Sequence, residues 1–147
     1  MILAAILCGL VILEYSKMGL SLWNDELSTY CRSTVGNPAE IVSFAADTDN
    51  HPPGVYVLLS LWIGAFGDDP VVLRLPSLIS QSLAILMIYA VTARLAGGEV
   101  GILASVLLAF SPHAIELGRM LRSYSPLILL SLILLWLTLD LVSTRGR

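Results

Sequence analysis

The chain has 147 residues, of which 56% are hydrophobic and 13% are charged, and its formal net charge at pH 7 is −3. A mean hydropathy of +0.84 excludes an ordinary soluble domain and is typical of a polytopic membrane protein. The sequence contains no run of Lys or Arg, so it lacks the basic footprint of a nucleic-acid-binding protein. We therefore predict an all-α polytopic membrane protein.

Residues 1 to about 20 form the first apolar segment. It lacks the basic start and the clear cleavage site of a signal peptide, so we predict a retained transmembrane helix. Three more apolar stretches, at about 76–94, 100–119 and 126–143, are long enough to cross a hydrocarbon core of about 30 Å. The sequence thus predicts about four transmembrane helices, and Pro112 predicts a kink in the third because proline removes a backbone N–H.

The polar loop at about 21–74 carries most of the charge and predicts two short helices. Eight of the eleven acids fall between residues 14 and 74, which we assign to the aqueous part of the protein. Asn37, Pro38 and Glu40 form a helix-start signal, with the helix predicted to end near Ala46. Residues 53–67 are short for a span and fit a re-entrant or interfacial helix, and counting Lys and Arg does not decide whether they cross.

Cys8 lies in the first apolar segment and Cys31 lies in the polar loop. A bridge between them would have to cross from lipid depth to water, so we predict that both are free thiols.

Asp25 and Glu26 follow the first apolar segment directly. Adjacent helical side chains point about 100° apart, so the two acids are not expected to share one proton. One is expected to face a site while the other is solvated or binds something else. The alternative is that both only stabilise the N-terminus of a short helix that begins near Asn24.

Five further residues are candidates for binding an anion. His51 precedes the predicted 53–67 helix, where an imidazole could donate to a phosphate or merely cap a turn. Arg119 and Arg122 are predicted on one face of a helix, and Tyr124 follows them in the sequence. Guanidinium groups match phosphate oxygens, although they could equally snorkel to lipid headgroups. Arg74 is either a third such cation or an interfacial anchor.

The pattern of metal-ligating residues is weak. There is no HExxH or CxxC motif and there are only two histidines. A divalent ion bound by Asp25 or Glu26 together with Asp47 or Asp49 is an alternative. The sequence predicts no other cofactor.

Three stretches, GLSLWNDELSTY, NHPPGVYVLLSLWIGAFGDDPVVLRLPSLIS and GRMLRSYSPLILL, occur in this order over residues 19 to 130. Together they resemble the N-terminal part of GT-C superfamily membrane glycosyltransferases, which include protein O-mannosyltransferases and aminoarabinose transferases. The resemblance implies an enzyme of a prokaryotic plasma membrane that takes sugar from a polyprenyl-phosphate donor at an extracytoplasmic site. It also favours a surface position for residues 53–67, which would put the candidate site residues on one side of the membrane.

The resemblance also implies roles for the candidate residues. Asp25 would be the base that deprotonates the acceptor, and Glu26 would support it. The other candidates would bind the donor, and they are His51, Arg74, Arg119, Arg122 and Tyr124. The identity of the sugar and that of the acceptor stay open.

Members of this superfamily usually run to several hundred residues, so we expect a fragment, a truncated product or one half of a split enzyme whose second subunit supplies more helices. The alternative function is a non-catalytic membrane protein of the same fold that binds a polyprenyl phosphate or a partner subunit. A small transporter fits less well, because no charged residue lies at mid-span in the long helices.

Overall fold

The computed structural model describes residues 1–145, and 82% of these residues are helical. The eight helices are α1 (Ile2–Met18), α2 (Asn24–Ser33), α3 (Pro38–Thr48), α4 (Gly54–Phe66), α5 (Pro70–Ala96), α6 (Gly98–Ala109), α7 (Pro112–Gly118) and α8 (Tyr124–Arg145). No strand occurs in residues 1–145, so the predicted all-α class is confirmed.

Two helices, α5 and α8, are long and apolar enough to cross a membrane. Helices α6 and α7 pass the same test only as a pair, bent by 67° at the break before Pro112. This break confirms the predicted kink, and it is sharper than expected because α6 ends before the proline. Helix α1 is apolar but has only 17 residues, so length and composition support two or three spans where the sequence predicted about four.

The short helices of the polar loop follow their predicted start signals. Asn37 accepts hydrogen bonds from the backbone N–H groups of Ala39 and Glu40, and α3 continues to Thr48, two residues past its predicted end. Helix α4 ends at Phe66 and is capped by Gly67, whose φ of +91° is a conformation that favours glycine. Helix α4 packs against α2, α3 and α5.

Helix α5 begins at Pro70, six residues before the predicted start at Pro76. Asp69 caps its N-terminus, and Pro76 is accommodated inside the helix. Because Pro76 has no N–H, the carbonyl of Val72 loses its intrahelical donor. The indole N–H of Trp62 in α4 donates to that carbonyl at 2.9 Å, so the proline creates the acceptor that ties α4 to α5.

Replacing Trp62 with phenylalanine is expected to lower the free energy of unfolding by about 1 kcal/mol beyond the loss of packing, because the Val72 carbonyl would lose its donor. In a Pro76→Ala background the helix regains an N–H for that carbonyl, so the same change should cost less. A double-mutant cycle of thermal unfolding in detergent measures this coupling. Equal costs in the two backgrounds would show that the bond contributes nothing.

One end of the helix bundle collects the polar side chains. Leu10 of α1 packs in one cluster with Ile85 of α5, and Arg74 near the start of α5 donates to the carbonyl of Met18 at the end of α1. These contacts make α1 and α5 antiparallel. Twenty residues further along α5, Arg94 lies 3.3 Å from Asp140 of α8, and twenty helical residues span about 30 Å. The two arginines therefore mark opposite ends of the bundle.

Candidate active site

A buried ion pair joins α2 to α5. The Nε of Arg74 lies 2.9 Å from Oε1 of Glu26, and its Nη2 lies 2.5 Å from Oε2. Both side chains are almost completely shielded from solvent. Such a two-point contact fixes the relative orientation of both groups, so it fixes α2 against the start of the long α5 helix.

The guanidinium of Arg74 has used all of its hydrogen-bond donors. Besides the two contacts with Glu26, Nη1 donates to the carbonyls of Met18 and Leu20 at 2.5 and 2.6 Å, and Nη2 approaches the carbonyl of Ser21 at 3.4 Å. A guanidinium has five N–H groups, and five acceptors are present. Arg74 therefore holds the end of α1 and the start of α2 together, with no N–H left for a ligand in this arrangement.

Glu26 is equally well satisfied. Its Oε1 also accepts the backbone N–H of Leu121 at 2.9 Å, and its Oε2 is 3.4 Å from the backbone nitrogen of Trp23. Burial by itself would raise the pKa of Glu26, but the hydrogen bonds from Arg74, Leu121 and Trp23 outweigh it and the pKa is lowered from the usual 4.5. Glu26 thus joins α2, α5 and the segment between α7 and α8 as a carboxylate.

Asp25 points away from this pair, as expected for adjacent residues on a helix. Its Oδ2 lies 2.9 Å from Nη2 of Arg122, a residue 97 positions further along the chain. The side chain of Asp25 is 60% exposed, whereas that of Arg122 is 16% exposed. Among the side chains that the structure describes, which do not include Lys17, no donor lies within hydrogen-bond distance of Oδ1 of Asp25, so this oxygen faces none of them.

Three cavities lie at this end of the bundle, and Asp25 lines one of them together with Leu22, Trp23 and Asn24. The other two contain the arginines. The first, here called the apolar groove, has a volume of about 280 Å³ and is lined mainly by Leu58, Leu59, Trp62 and Leu121, with Arg122 among its lining residues. Arg122 therefore contacts both the groove and Asp25. A groove with an apolar wall and one guanidinium suits an amphipathic ligand with an anionic head.

The second, here called the polar cavity, has a volume of about 310 Å³ and is lined by Trp23, Glu26, Arg74, Glu116 and Arg119, among others. In the described part of the chain no acid lies within ion-pair distance of Arg119. Among the arginines lining these two cavities, Arg119 is thus the one without an acidic partner in residues 1–145.

The structure separates Arg119 from Arg122. The sequence predicted both on one face of a helix, but α7 ends at Gly118 and both arginines lie in the segment before α8. They consequently line different cavities. Tyr124 is the first residue of α8 and is partly exposed. The two arginines therefore do not share one of these cavities.

His51 contacts Asp49 and not Arg74. Its Nδ1 lies 2.7 Å from Oδ1 of Asp49, and the hydroxyl of Tyr56 donates to Oδ2 of the same carboxylate. The hydrogen bonds from Tyr56 and His51 hold the pKa of Asp49 well below its usual range. His51 is 40% exposed, so one edge of its ring stays accessible.

Glu14 is a buried residue that sequence reasoning placed in the aqueous part. It lies in α1 and is fully buried, and none of the described side chains or backbone groups donates a hydrogen bond to either carboxylate oxygen. Gly118 approaches it so closely that a Cβ on this glycine would lie 2.2 Å from Oε1. The available signal was a lone acid in an apolar helix, which is a reason to suspect a specific environment.

The acids considered for a divalent ion are not assembled around one point. The described residues contain no group of three His, Cys, Asp or Glu side chains that could hold a metal. Glu26 and Asp49 are engaged with Arg74 and with His51 and Tyr56. Cys8 and Cys31 are free thiols, as predicted.

Comparison with known proteins gives a family match. Residues 50–146, which are 97 of the 147, match the family described as dolichyl-phosphate-mannose-protein mannosyltransferase. No curated protein and no solved structure matches the chain. The matched region contains His51, Arg74 and Arg122, and it begins after Asp25 and Glu26. The resemblance to GT-C membrane glycosyltransferases is confirmed over this region.

Proposed function

The chain belongs to the dolichyl-phosphate-mannose-protein mannosyltransferase family, and on that premise we propose that it transfers a sugar from a polyprenyl-phosphate donor to an acceptor at the Asp25 end of the bundle. Family membership and the apolar helices make it an integral membrane glycosyltransferase. The donor, the acceptor and the side of the membrane are our proposals.

One observation carries this proposal: an exposed carboxylate is paired with a guanidinium that also lines an apolar groove. The pair is Asp25 with Arg122, at 2.9 Å. A polyprenyl-phosphate sugar combines an apolar chain, an anionic phosphate and a reactive anomeric carbon. The apolar groove complements the apolar chain. Arg122 complements the phosphate, and Asp25 complements the reactive anomeric carbon.

In the proposed reaction, Oδ1 of Asp25 accepts the proton of the acceptor hydroxyl or amine as the acceptor atom attacks the anomeric carbon. The bond between that carbon and the phosphate oxygen breaks, and the electron pair leaves with the phosphate. A phosphate is a stable anion and needs no proton to depart, so one carboxylate is sufficient. Direct displacement inverts the configuration at the anomeric carbon.

Arg122 would stabilise the negative charge that develops on the departing phosphate, while its contact with Oδ2 orients Asp25. Arg119 and His51 are the further cationic or hydrogen-bonding groups that we assign to the donor. We assign Arg74 a supporting role through Glu26, because its donors are directed to protein acceptors.

The donor chain would lie in the apolar groove and continue into the bilayer. The groove is bounded by α4 and by residues Pro76, Ser77 and Ser80 of the membrane-spanning α5, so it reaches from the polar end towards the hydrocarbon region. We place this end on the extracytoplasmic side by the resemblance described above.

Replacing Arg122 with glutamine is expected to reduce sugar transfer by about 100-fold, because the charge on the leaving phosphate would lose its main counter-charge. Arg94→Gln is the matched control, since it removes the same group from the opposite end of the bundle, where Arg94 contacts Asp140. The assay reconstitutes the chain in liposomes with polyprenyl-phosphate mannose and measures both the released polyprenyl phosphate and the transferred mannose.

Similar losses in the two variants would argue against a specific role for Arg122. A wild-type chain that binds the lipid phosphate but releases no sugar under any condition would instead support the non-catalytic binding protein.

A further inference from the structure

We propose that Asp49 is a positioning residue that determines which nitrogen of His51 meets the substrate. The proposal rests on the function proposed above only in naming that substrate as the donor phosphate. The placement of the proton on the imidazole ring follows from the contacts of Asp49 alone.

Asp49 is surrounded by hydrogen-bond donors. Its Oδ1 lies 2.7 Å from Nδ1 of His51 and 3.3 Å from the backbone nitrogen of the same residue. Its Oδ2 accepts the hydroxyl of Tyr56 and lies 3.5 Å from Nε of Arg32. The side chain is only 13% exposed. A carboxylate with these partners is ionised at neutral pH and acts only as an acceptor.

An acceptor at Nδ1 requires that this nitrogen carries a proton. The other ring nitrogen, Nε2, is then the ring atom left for a ligand, on a side chain that is 40% exposed. In the neutral ring Nε2 carries a lone pair, which does not bind a phosphate oxygen. The ring therefore binds the donor phosphate in its protonated form, with Nδ1–H held by Asp49, which also balances the ring's charge, and with an N–H at Nε2 directed to a phosphate oxygen. Asp49 thus assigns Nε2 to the substrate.

The ring is held from several directions. Pro52 and Pro53 follow His51, and their rings restrict the backbone on its C-terminal side. Tyr56 anchors Asp49 to α4, and Arg32 anchors it to α2. Asp49 itself ends α3 as its C-cap. Three helices therefore fix the carboxylate that orients the imidazole.

The same contacts place His51 relative to Asp25. Arg32 follows Asp25 by seven residues on α2, which is two helical turns and about 10 Å along the same helix face. The Arg32–Asp49–His51 group thus lies beside the same face of α2 as the proposed base.

The test is nitrogen NMR of the full chain in nanodiscs, labelled at histidine and purified without a histidine tag. The sequence has only two histidines, so a His113→Gln background leaves the signal of His51 alone. A protonated ring nitrogen and one with a lone pair have well-separated chemical shifts. We expect the neutral ring of His51 to carry its proton on Nδ1.

Asp49→Ala should move the ring towards the Nε2-protonated form, whereas Asp49→Asn keeps an oxygen that accepts from Nδ1 and should preserve the original form. Asp47→Ala is the matched control, because Asp47 is an exposed acid of the same loop. Tyr56→Phe, which removes a different contact of Asp49, should leave the tautomer unchanged. An Nε2-protonated ring in the wild type, or spectra that Asp49→Ala does not alter, would overturn the proposal.

In the transfer assay, Asp49→Ala should raise KM for the donor about tenfold with little change in kcat, and Asp49→Asn should restore most of it. A fall in kcat at unchanged KM would contradict a positioning role in donor binding. Because the spectra do not depend on turnover, an inactive wild-type chain with the expected tautomer would count against the proposed function and not against the role of Asp49.

Discussion

Replacing Asp25 with asparagine is expected to lower the rate of sugar transfer by about 10²- to 10⁴-fold while leaving the fold intact. An amide cannot take up the acceptor proton, yet it is isosteric and can keep an oxygen near Arg122. The exposed position of Asp25 means that its charge contributes little to stability. Initial rates in liposomes, together with thermal unfolding of the same preparation, measure the two effects separately.

The control for Asp25→Asn is Asp47→Asn, which makes the same change at an exposed acid of the polar loop. It should leave the rate within about twofold of the wild type. Transfer by the Asp25 variant at the wild-type rate would remove Asp25 from the mechanism, and Arg122 would then lose its proposed partner in the reaction.

Glu26→Ala is expected to have the largest effect on stability, about 3–5 kcal/mol. The change would leave the buried guanidinium of Arg74 without a counter-charge, and it would also remove the acceptor for the backbone N–H of Leu121. Asp25→Ala is the matched control, since it removes an exposed carboxylate from the same helix. It should lower the free energy of unfolding by less than about 1 kcal/mol. Thermal unfolding in detergent would compare them. Equal destabilisation would contradict the structural role assigned to Glu26.

The same ion pair predicts how stability depends on pH. The pKa of Glu26 is lowered in the folded state, so its contribution is fully present above the unfolded value of about 4.5. It is lost as the pH falls through the lower folded value. Glu26→Gln should therefore flatten the acid side of the stability profile, and an unchanged acid limb would show that other carboxylates dominate it.

Local signals explain how much of the fold could be predicted. The start of α3 was predictable because Asn37, Pro38 and Glu40 act within one helical turn. The start of α5 was not, because the apolar stretch on which the prediction depended begins only at Pro76, a proline that lies inside the helix. Its lost hydrogen bond is replaced by Trp62 from another helix, and such compensation is visible only in three dimensions.

In the candidate site, too, some features could be predicted from the sequence and others could not. The acid pair and the arginines were predictable as candidates from their residue types and motifs. Which arginine contacts which acid was not, because the partners lie 48 and 97 residues apart and spacing carries no information at that range. Arg74 and Arg122 therefore looked alike in the sequence, although one is fully engaged in the interior and the other lines a groove.

The burial of Glu14 could not be predicted either. It depends on the close approach of Gly118, which lies 104 positions away and follows the bend at Pro112. Composition assigned this acid to water because most other acids are there. The bend in the α6–α7 pair is what carries the glycine to α1.

The account depends most on the claim that a lipid phosphate sugar lies in the apolar groove with its head at Arg122 and Asp25. Photocrosslinking tests this directly, using polyprenyl-phosphate mannose with a diazirine on its first isoprene unit and mapping the adducts by mass spectrometry. The account predicts adducts on groove residues such as Leu58, Trp62 and Leu121. Adducts confined to the outward leucines of α8, such as Leu130 and Leu134, would contradict it.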